Sequence, residues 1–322
     1  MTTGRPRPAG RTELARRGVR LLLERGLLSP ADIHRYGLTA RNVSQSNGVA
    51  LVELGSGRGF AVKDLAPDRE PGQGDPAREV ELYRAATASG DLADRVPRLL
   101  LHDADEQVLV LEGVLAARRL DLQPEPTSGR FAAELGTTLG LWHRVSTGLA
   151  PMGPARPWVL DLAGPTRPAV IDRSAELSGL VSAILADEQH ADALARMRAA
   201  WTDDVLVHGD VRFANVLVRP HGVATLVDWE YAGSGDARWD VAGAVQEYVS
   251  AGETLDGAPV TALLSAYEAA RGLAVDRAVL TAFVAARLLV RALQLRSWMT
   301  DPGAEIERHR RLARQVVEPV PA

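Results

Sequence analysis

Residues 208–230 read HGDVRFANVLVRPHGVATLVDWE, and no other segment restricts the chain so tightly. Two short apolar runs, Val216 to Val218 and Val223 to Val227, flank a Pro220-His221-Gly222 turn. β-Branched runs on both sides of a Pro/Gly turn predict a tight hairpin. A hairpin that folds back on itself brings its ends together, so Asn215 and Asp228 are expected to lie close. Asp210 precedes Asn215 in the same segment. Two side-chain oxygens converging on one point suit a hard cation such as magnesium.

The chain carries 37 lysines and arginines, and only one of them, Lys63, is a lysine. Codon bias in a GC-rich genome accounts for the arginines but not for the exception. Lys63 ends the apolar run Phe60-Ala61-Val62, which predicts a strand. A compact ammonium on a thin stem enters a crowded anionic site that a planar guanidinium does not. The bland alternative is a leftover surface lysine.

A chain of 322 residues suits one large two-lobed domain or two ordinary ones. Hydrophobic and charged contents of 46% and 24% are those of a globular protein. The net charge of −4 gives no electrostatic case for nucleic acid or an anionic membrane surface. The absence of cysteine excludes disulfides and cysteine-ligated zinc, and fits a reducing compartment. No apolar run approaches the roughly 18 residues of a membrane span. The basic N-terminus reads as a loose start and an amphipathic helix rather than a signal peptide, so a cytoplasmic protein is expected.

A helix is predicted from Thr12 to about Arg25, ended by Gly26, and another from Ser29-Pro30. Strands follow at 49–54, 60–65, 98–101 and 107–111, with a helix opening at Asp75-Pro76. With the strand pattern beginning at Asn42, a five-stranded sheet with one long helix would account for the segment up to about Glu112. Beyond it the pattern turns helical: Phe131, Leu135, Leu139 and Trp142 mark a helix over 129–146, with Ser128 a possible cap. One or two helices lie between Ser174 and Trp201. More follow near 238–250, 258–271, 276–299 and 302–317. The proline cluster from Pro151 to Pro168 marks an irregular loop expected on the substrate side.

With HGD-x4-N followed by DWEYAGSGDARWDVA from Asp228, the chain resembles the aminoglycoside phosphotransferase and choline kinase superfamily. The motif is specific at 208–243, and the resemblance extends to 43–146. It implies an α+β, bilobal protein-kinase-like fold: a small, mostly antiparallel β N-lobe and a large α-helical C-lobe. The implied boundaries are 1–40 for an N-terminal helical extension, 41–113 for the N-lobe and 114–322 for the C-lobe. It further implies ATP in the cleft between lobes and Mg2+ on its phosphates. Lys63 would pair with the phosphates and with Glu79, or failing that Glu81. Leu109 to Gly113 would be the hinge, with Glu112 and Gly113 at the adenine. Ser46, in Ser44-Gln45-Ser46-Asn47-Gly48, would cover the phosphates, although no G-x-G-x-x-G is present. Asp210 would take or orient the proton of a substrate hydroxyl, and Asn215 and Asp228 would hold magnesium.

Other residues read as support. His208 would brace the catalytic loop, and Asp240 would bond its backbone or simply cap a helix. Arg212 reads as support with a possible reach to the γ-phosphate, and Asp236 as support or substrate contact. His143 and Trp229 read as packed core, and Arg287, Arg291 and Arg296 as one charged helix face. The leading expectation is an ATP-dependent phosphotransferase acting on a hydroxyl of a small amino alcohol or aminoglycoside. Asp161, Glu230 and Glu247 are candidate acids for the acceptor's ammonium groups. One alternative is a kinase of peptide Ser/Thr in a modified-peptide pathway, with the N-terminal residues and the proline-rich stretch serving a peptide or partner protein. Another is a pseudokinase scaffold, against which the complete residue set argues.

Overall fold

The computed structural model describes residues 11–43, 48–65, 76–149, 151–162, 171 and 174–318. The chain clusters into two compact units. The first is Met1–Arg118 with Leu217–Glu230, and the second is Arg119–Val216 with Tyr231–Ala322.

In the first unit, α1 (Arg11–Glu24) and α2 (Pro30–Tyr36) precede a five-stranded antiparallel sheet. Ser29 caps α2 through a reciprocal bond with Asp32, and Pro30 occupies the first turn, where its missing N–H costs nothing. The strands are β1 (Leu38–Asn42), β2 (Val49–Leu54), β3 (Gly59–Asp64), β4 (Leu99–Asp103) and β5 (Val108–Glu112), in the order β1-β2-β3-β5-β4. Strand side chains alternate between faces. Phe60 and Val62 therefore share one face of β3, where Leu21 and Leu22 of α1 join Val52, Val108 and Val110 in the core. Lys63 is left for the other face. There the register sets it opposite Val49 and Leu109. Helix α3 (Pro76–Ala88) buries Glu79, Leu82, Tyr83 and Ala86, one stripe at helical spacing.

Two boundaries differ from those read in the sequence. Residues 11–40 are no separate extension, because Leu14, Leu21, Leu22 and Leu28 are buried in the sheet's cores. The hairpin of Val216–Val218 and Ala224–Leu226 clusters with the first unit from Leu217 onward. It is tied there by Leu226 N–H donating to Arg95 O (2.8 Å) and Arg219 Nε donating to Asp94 O (3.0 Å).

The second unit is helical: α4 (Gly129–Ser146), α5 (Ala175–Leu185), α6 (Glu188–Ala200), α7 (Ala237–Ser250), α8 (Ala258–Arg271), α9 (Arg277–Trp298) and α10 (Gly303–Gln315). Ser174, Asp187, Asp236 and Asp276 cap α5, α6, α7 and α9 through their side chains. Ser128 holds the cap position of α4 but its hydroxyl makes no cap bond. Strands β6 (Val205–Val207) and β7 (Gly233–Gly235) pair antiparallel. Contrary to the expectation of no membrane-length apolar stretch, Arg277–Arg296 of α9 is long and apolar enough to cross a membrane by length and composition. In the fold 72% of that window is buried. A largely apolar helix suits a core position: Trp201 stacks on Phe283 at 6.0 Å, and Leu280, Phe283, Leu288 and Leu289 are buried.

Candidate active site

The first unit gathers three charges. Lys63 Nζ lies 2.7 Å from Glu79 Oε1 and 2.7 Å from Asp228 Oδ1. Lys63 and Glu79 are buried, whereas Asp228 is partly exposed. Burial works against the ammonium, yet the two carboxylates outweigh it and hold the Lys63 pKa above its ordinary value. Burial pushes Glu79 up, and Lys63 opposes that rise. Among the described residues two of the three ammonium donors are engaged, which leaves the third for an anion. Glu81 stays exposed and pairs with Arg84 instead. One helical turn after Glu79, Tyr83 is fully buried, and the Asp228 backbone hydrogen-bonds to its phenol oxygen. Asp228 itself sits at φ +67°, in the left-handed region that Asp tolerates better than most residues. Trp229 is buried, its Nε1 donating to Leu226 O at 3.1 Å.

The second unit contains the loop that leaves β6. Gly209 has φ +83°, and a Cβ there would fall 2.4 Å from Tyr231 O, so no other residue fits. Asp240 of α7 lies beneath this turn and accepts from His208 N–H (2.6 Å) and Gly209 N–H (2.9 Å). His143 Nε2 lies 3.1 Å from Asp240 Oδ2, and its Nδ1 lies 2.9 Å from the Tyr267 hydroxyl. Burial opposes ionisation of Asp240, but His143, His208 and the backbone donors hold its pKa below the ordinary value. His208 Nδ1 accepts from Asp210 N–H at 3.3 Å. Asp210 Oδ2 takes Arg212 Nη2 at 2.7 Å and Asn215 Nδ2 at 3.1 Å. Asn215 Nδ2 also donates to Asp210 O at 2.9 Å. Both partners are acceptors, which fixes the orientation of the amide and frees Asn215 Oδ1 to ligate.

Among the described residues no group of three or more His, Cys, Asp and Glu forms a metal cage. Magnesium on a nucleotide needs none: one or two side-chain oxygens suffice, with phosphates and water completing the shell. Asn215 Oδ1 and the Asp228 carboxylate are donors of that kind.

Several residues are placed otherwise than the sequence suggests. Glu112 N–H donates to Arg98 O (2.8 Å) and Gly113 N–H to Gly59 O (2.9 Å), so the N–H groups of both are already engaged. Gly113 is glycine because a Cβ would fall 2.7 Å from the β3 backbone. Ser46 lies outside the described residues. Glu247 is engaged by the catalytic loop, its Oε2 taking Phe213 N–H at 3.0 Å. Asp161 is partly exposed beside Arg156 (3.6 Å), and Glu230 is buried. Asp236 caps α7 and takes Thr202 N–H at 3.0 Å. Arg287 departs furthest from a charged helix face. It is buried, donating from Nη1 to Gly209 O (3.3 Å) and from Nη2 to Val211 O (3.0 Å). Nothing in the arginine-rich sequence sets Arg287 apart from Arg291 and Arg296.

Comparison with known proteins decides the family. Residues 38–280 match the phosphotransferase enzyme family (APH). The chain belongs to this family. No curated protein sequence matches it. Among solved structures, choline kinase LicA from Streptococcus pneumoniae aligns at TM-score 0.60 and 16% identity, covering 94% of this chain and 99% of that one. An aminoglycoside phosphotransferase from Alicyclobacillus acidocaldarius aligns at TM-score 0.55 and 17% identity, covering 90% and 94%. Aminoglycoside phosphotransferase APH(4)-Ia, solved with ADP and hygromycin B, aligns at 0.55 and 15%, covering 93% and 100%. At these identities the neighbours show the fold, which is kinase-like. This phosphotransferase therefore combines an antiparallel nucleotide-type sheet unit with a helical unit bearing the HGD-x4-N loop.

Proposed function

We propose that this phosphotransferase moves the γ-phosphate of ATP to a hydroxyl of a small amino-alcohol- or aminoglycoside-like molecule. The observation that carries the reading is the Lys63 ammonium shared between Glu79 and Asp228 at 2.7 Å each. This arrangement fixes a lone lysine with one donor to spare, as phosphate pairing requires. Asp210 accepts the hydroxyl proton, its carboxylate held by Arg212 and Asn215. Asn215 and Asp228 would hold magnesium, which when bound offsets the charge of the phosphates. The names of the structural neighbours, choline kinase and aminoglycoside phosphotransferase, support a small-molecule acceptor, and the ADP complex supports nucleotide use.

A peptide acceptor or partner protein gains no support. Of the N-terminal residues invoked for it, Leu14, Ala15, Leu21, Leu22 and Leu28 are buried in the cores of the first unit instead. A scaffold role would predict a broken charge cluster, and the cluster is intact.

The test is magnesium-dependent ATP consumption by wild type and Asp210→Ala, alone and with choline, ethanolamine and aminoglycosides. Loss of general-base help lowers turnover ~10²–10⁴-fold, with nucleotide binding retained. Equal turnover in the two proteins would remove Asp210 from the mechanism.

A further inference from the structure

Arg287 reaches the catalytic loop from α9 and takes both backbone carbonyls that flank Asp210. Nη1 donates to Gly209 O at 3.3 Å and Nη2 to Val211 O at 3.0 Å. Gly209 O is also held by Trp239 Nε1 at 3.1 Å. The guanidinium carbon lies 4.7 Å from the centroid of the same Trp239 ring, so one indole braces the arginine and the loop together. Burial works against the guanidinium and holds its pKa below the ordinary value, and three carboxylates around it, Asp210, Asp240 and Glu247, oppose that fall only in part. The sequence of α7 makes room for this contact: a Cβ at Gly243 would fall 2.9 Å from Arg287 Nη2 and 2.9 Å from Val211 O. From the other side Asp240 takes the N–H groups of His208 and Gly209. The loop backbone is thus gripped by its donors and by its acceptors.

We infer that Arg287, seated in the space left by Gly243, is a positioning residue that holds the peptide units on either side of Asp210 and so sets the aim of its carboxylate. The inference rests on the reading of Asp210 as catalytic base, and deepens it. Lysine cannot replace this function, because a single ammonium cannot present two parallel donors to carbonyls two residues apart. A misplaced general base loses rate while leaving nucleotide affinity intact. A displacement of the order of 1 Å is worth ~10²-fold.

The experiment compares wild type, Arg287→Met, Arg287→Lys, Gly243→Ala and Asp210→Asn, using Mg·ATP hydrolysis and hydrogen exchange at residues 208–213. Met keeps the packing on Trp239 and removes both donors. Alanine favours a helix over glycine, so the cost of Gly243→Ala falls on the contact between Arg287 and Val211 O rather than on the helix. The expected result is a kcat ~10²-fold down in Arg287→Met, with KM for Mg·ATP within about twofold of wild type. Arg287→Lys and Gly243→Ala lie in between, and exchange at 208–213 is faster in all three. Wild-type kcat in folded Arg287→Met and Gly243→Ala, or unchanged exchange across the loop, overturns the inference. So does a rise in KM that matches the fall in kcat. If wild type hydrolyses no faster than Asp210→Asn, the reading of Asp210 fails, and exchange alone then decides whether Arg287 holds the loop.

Discussion

The two functional clusters are built by opposite means. In the first unit, three charged side chains from β3, α3 and the segment after the hairpin meet one another, Lys63 against Glu79 and Asp228. In the second unit, buried side chains grip backbone: Asp240 takes two N–H groups and Glu247 a third, while Arg287 takes two carbonyls. The first arrangement fixes charge and tolerates some freedom of the chain. The second fixes the course of the chain and leaves Asp210 as the group presented. Phosphoryl transfer asks for both, a counter-charge for the phosphates and a base aimed at the hydroxyl.

The largest effect should come from breaking the charge cluster. Lys63→Met leaves Glu79 buried and unpaired, and removing one partner of a buried pair costs ~3–5 kcal/mol. Activity and thermal stability should fall together. Adding Glu79→Met should restore much of the stability, because apolar residues of similar volume replace a buried pair well, but it should restore no activity. Thermal melts and Mg·ATP turnover of the single and double variants decide this. A double variant that regains turnover would show that the cluster is structural only.

A smaller effect should follow in the second unit from Asp240→Asn. Both carboxylate oxygens face backbone donors, so the amide nitrogen must meet one N–H head-on and leave it unsatisfied. That costs about 1–3 kcal/mol, with turnover falling through the loop and nucleotide affinity unchanged. Acid sharpens the result. The folded pKa of Asp240 lies below its ordinary 3.8, so its contribution is present above that value and is lost as pH falls through the depressed folded value. The melting temperature of wild type should therefore drop below pH 3.8, and that component should be missing in Asp240→Asn. An identical acid profile in the two proteins would mean that Asp240 carries no linked charge.

The same contrast explains what could be read in the sequence. Lys63 and Glu79 were legible because period-2 alternation puts Lys63 on the face away from Phe60 and Val62, and because Glu79 lies on the stripe of α3 that is buried. The hairpin between Asn215 and Asp228 announced itself through its Pro220-Gly222 turn. The helix bounds in the second unit follow from apolar spacing and caps such as Asp187 and Asp276. Side chains that bond backbone leave no such trace. Arg287 and Glu247 reach their carbonyls and N–H group from helices remote in sequence, and any arginine or glutamate on a helix looks the same before folding. Glu112 and Gly113 were only half legible for a related reason. A strand end shows where a hinge should be, but not which of its N–H groups neighbouring strands already use.

The smallest predicted effect lies where the first cluster borrows the method of the second. Asp228 is held at φ +67° while its backbone bonds the buried Tyr83 oxygen, a side-chain grip on main chain within the charge cluster. Tyr83→Phe keeps the ring and removes that partner. One hydrogen bond of this kind is worth about 1 kcal/mol, or about fivefold in an equilibrium constant. The half-saturating magnesium concentration should rise by that factor, while kcat at saturating magnesium stays at the wild-type level. Lys63 and Glu79 are untouched, so the loss belongs to the aim of Asp228 alone. A lowered kcat at saturation would place Tyr83 with Asp240 and Arg287, among residues that shape the chain for the chemical step. The division between a unit that supplies charge and a unit that supplies aim would then no longer hold.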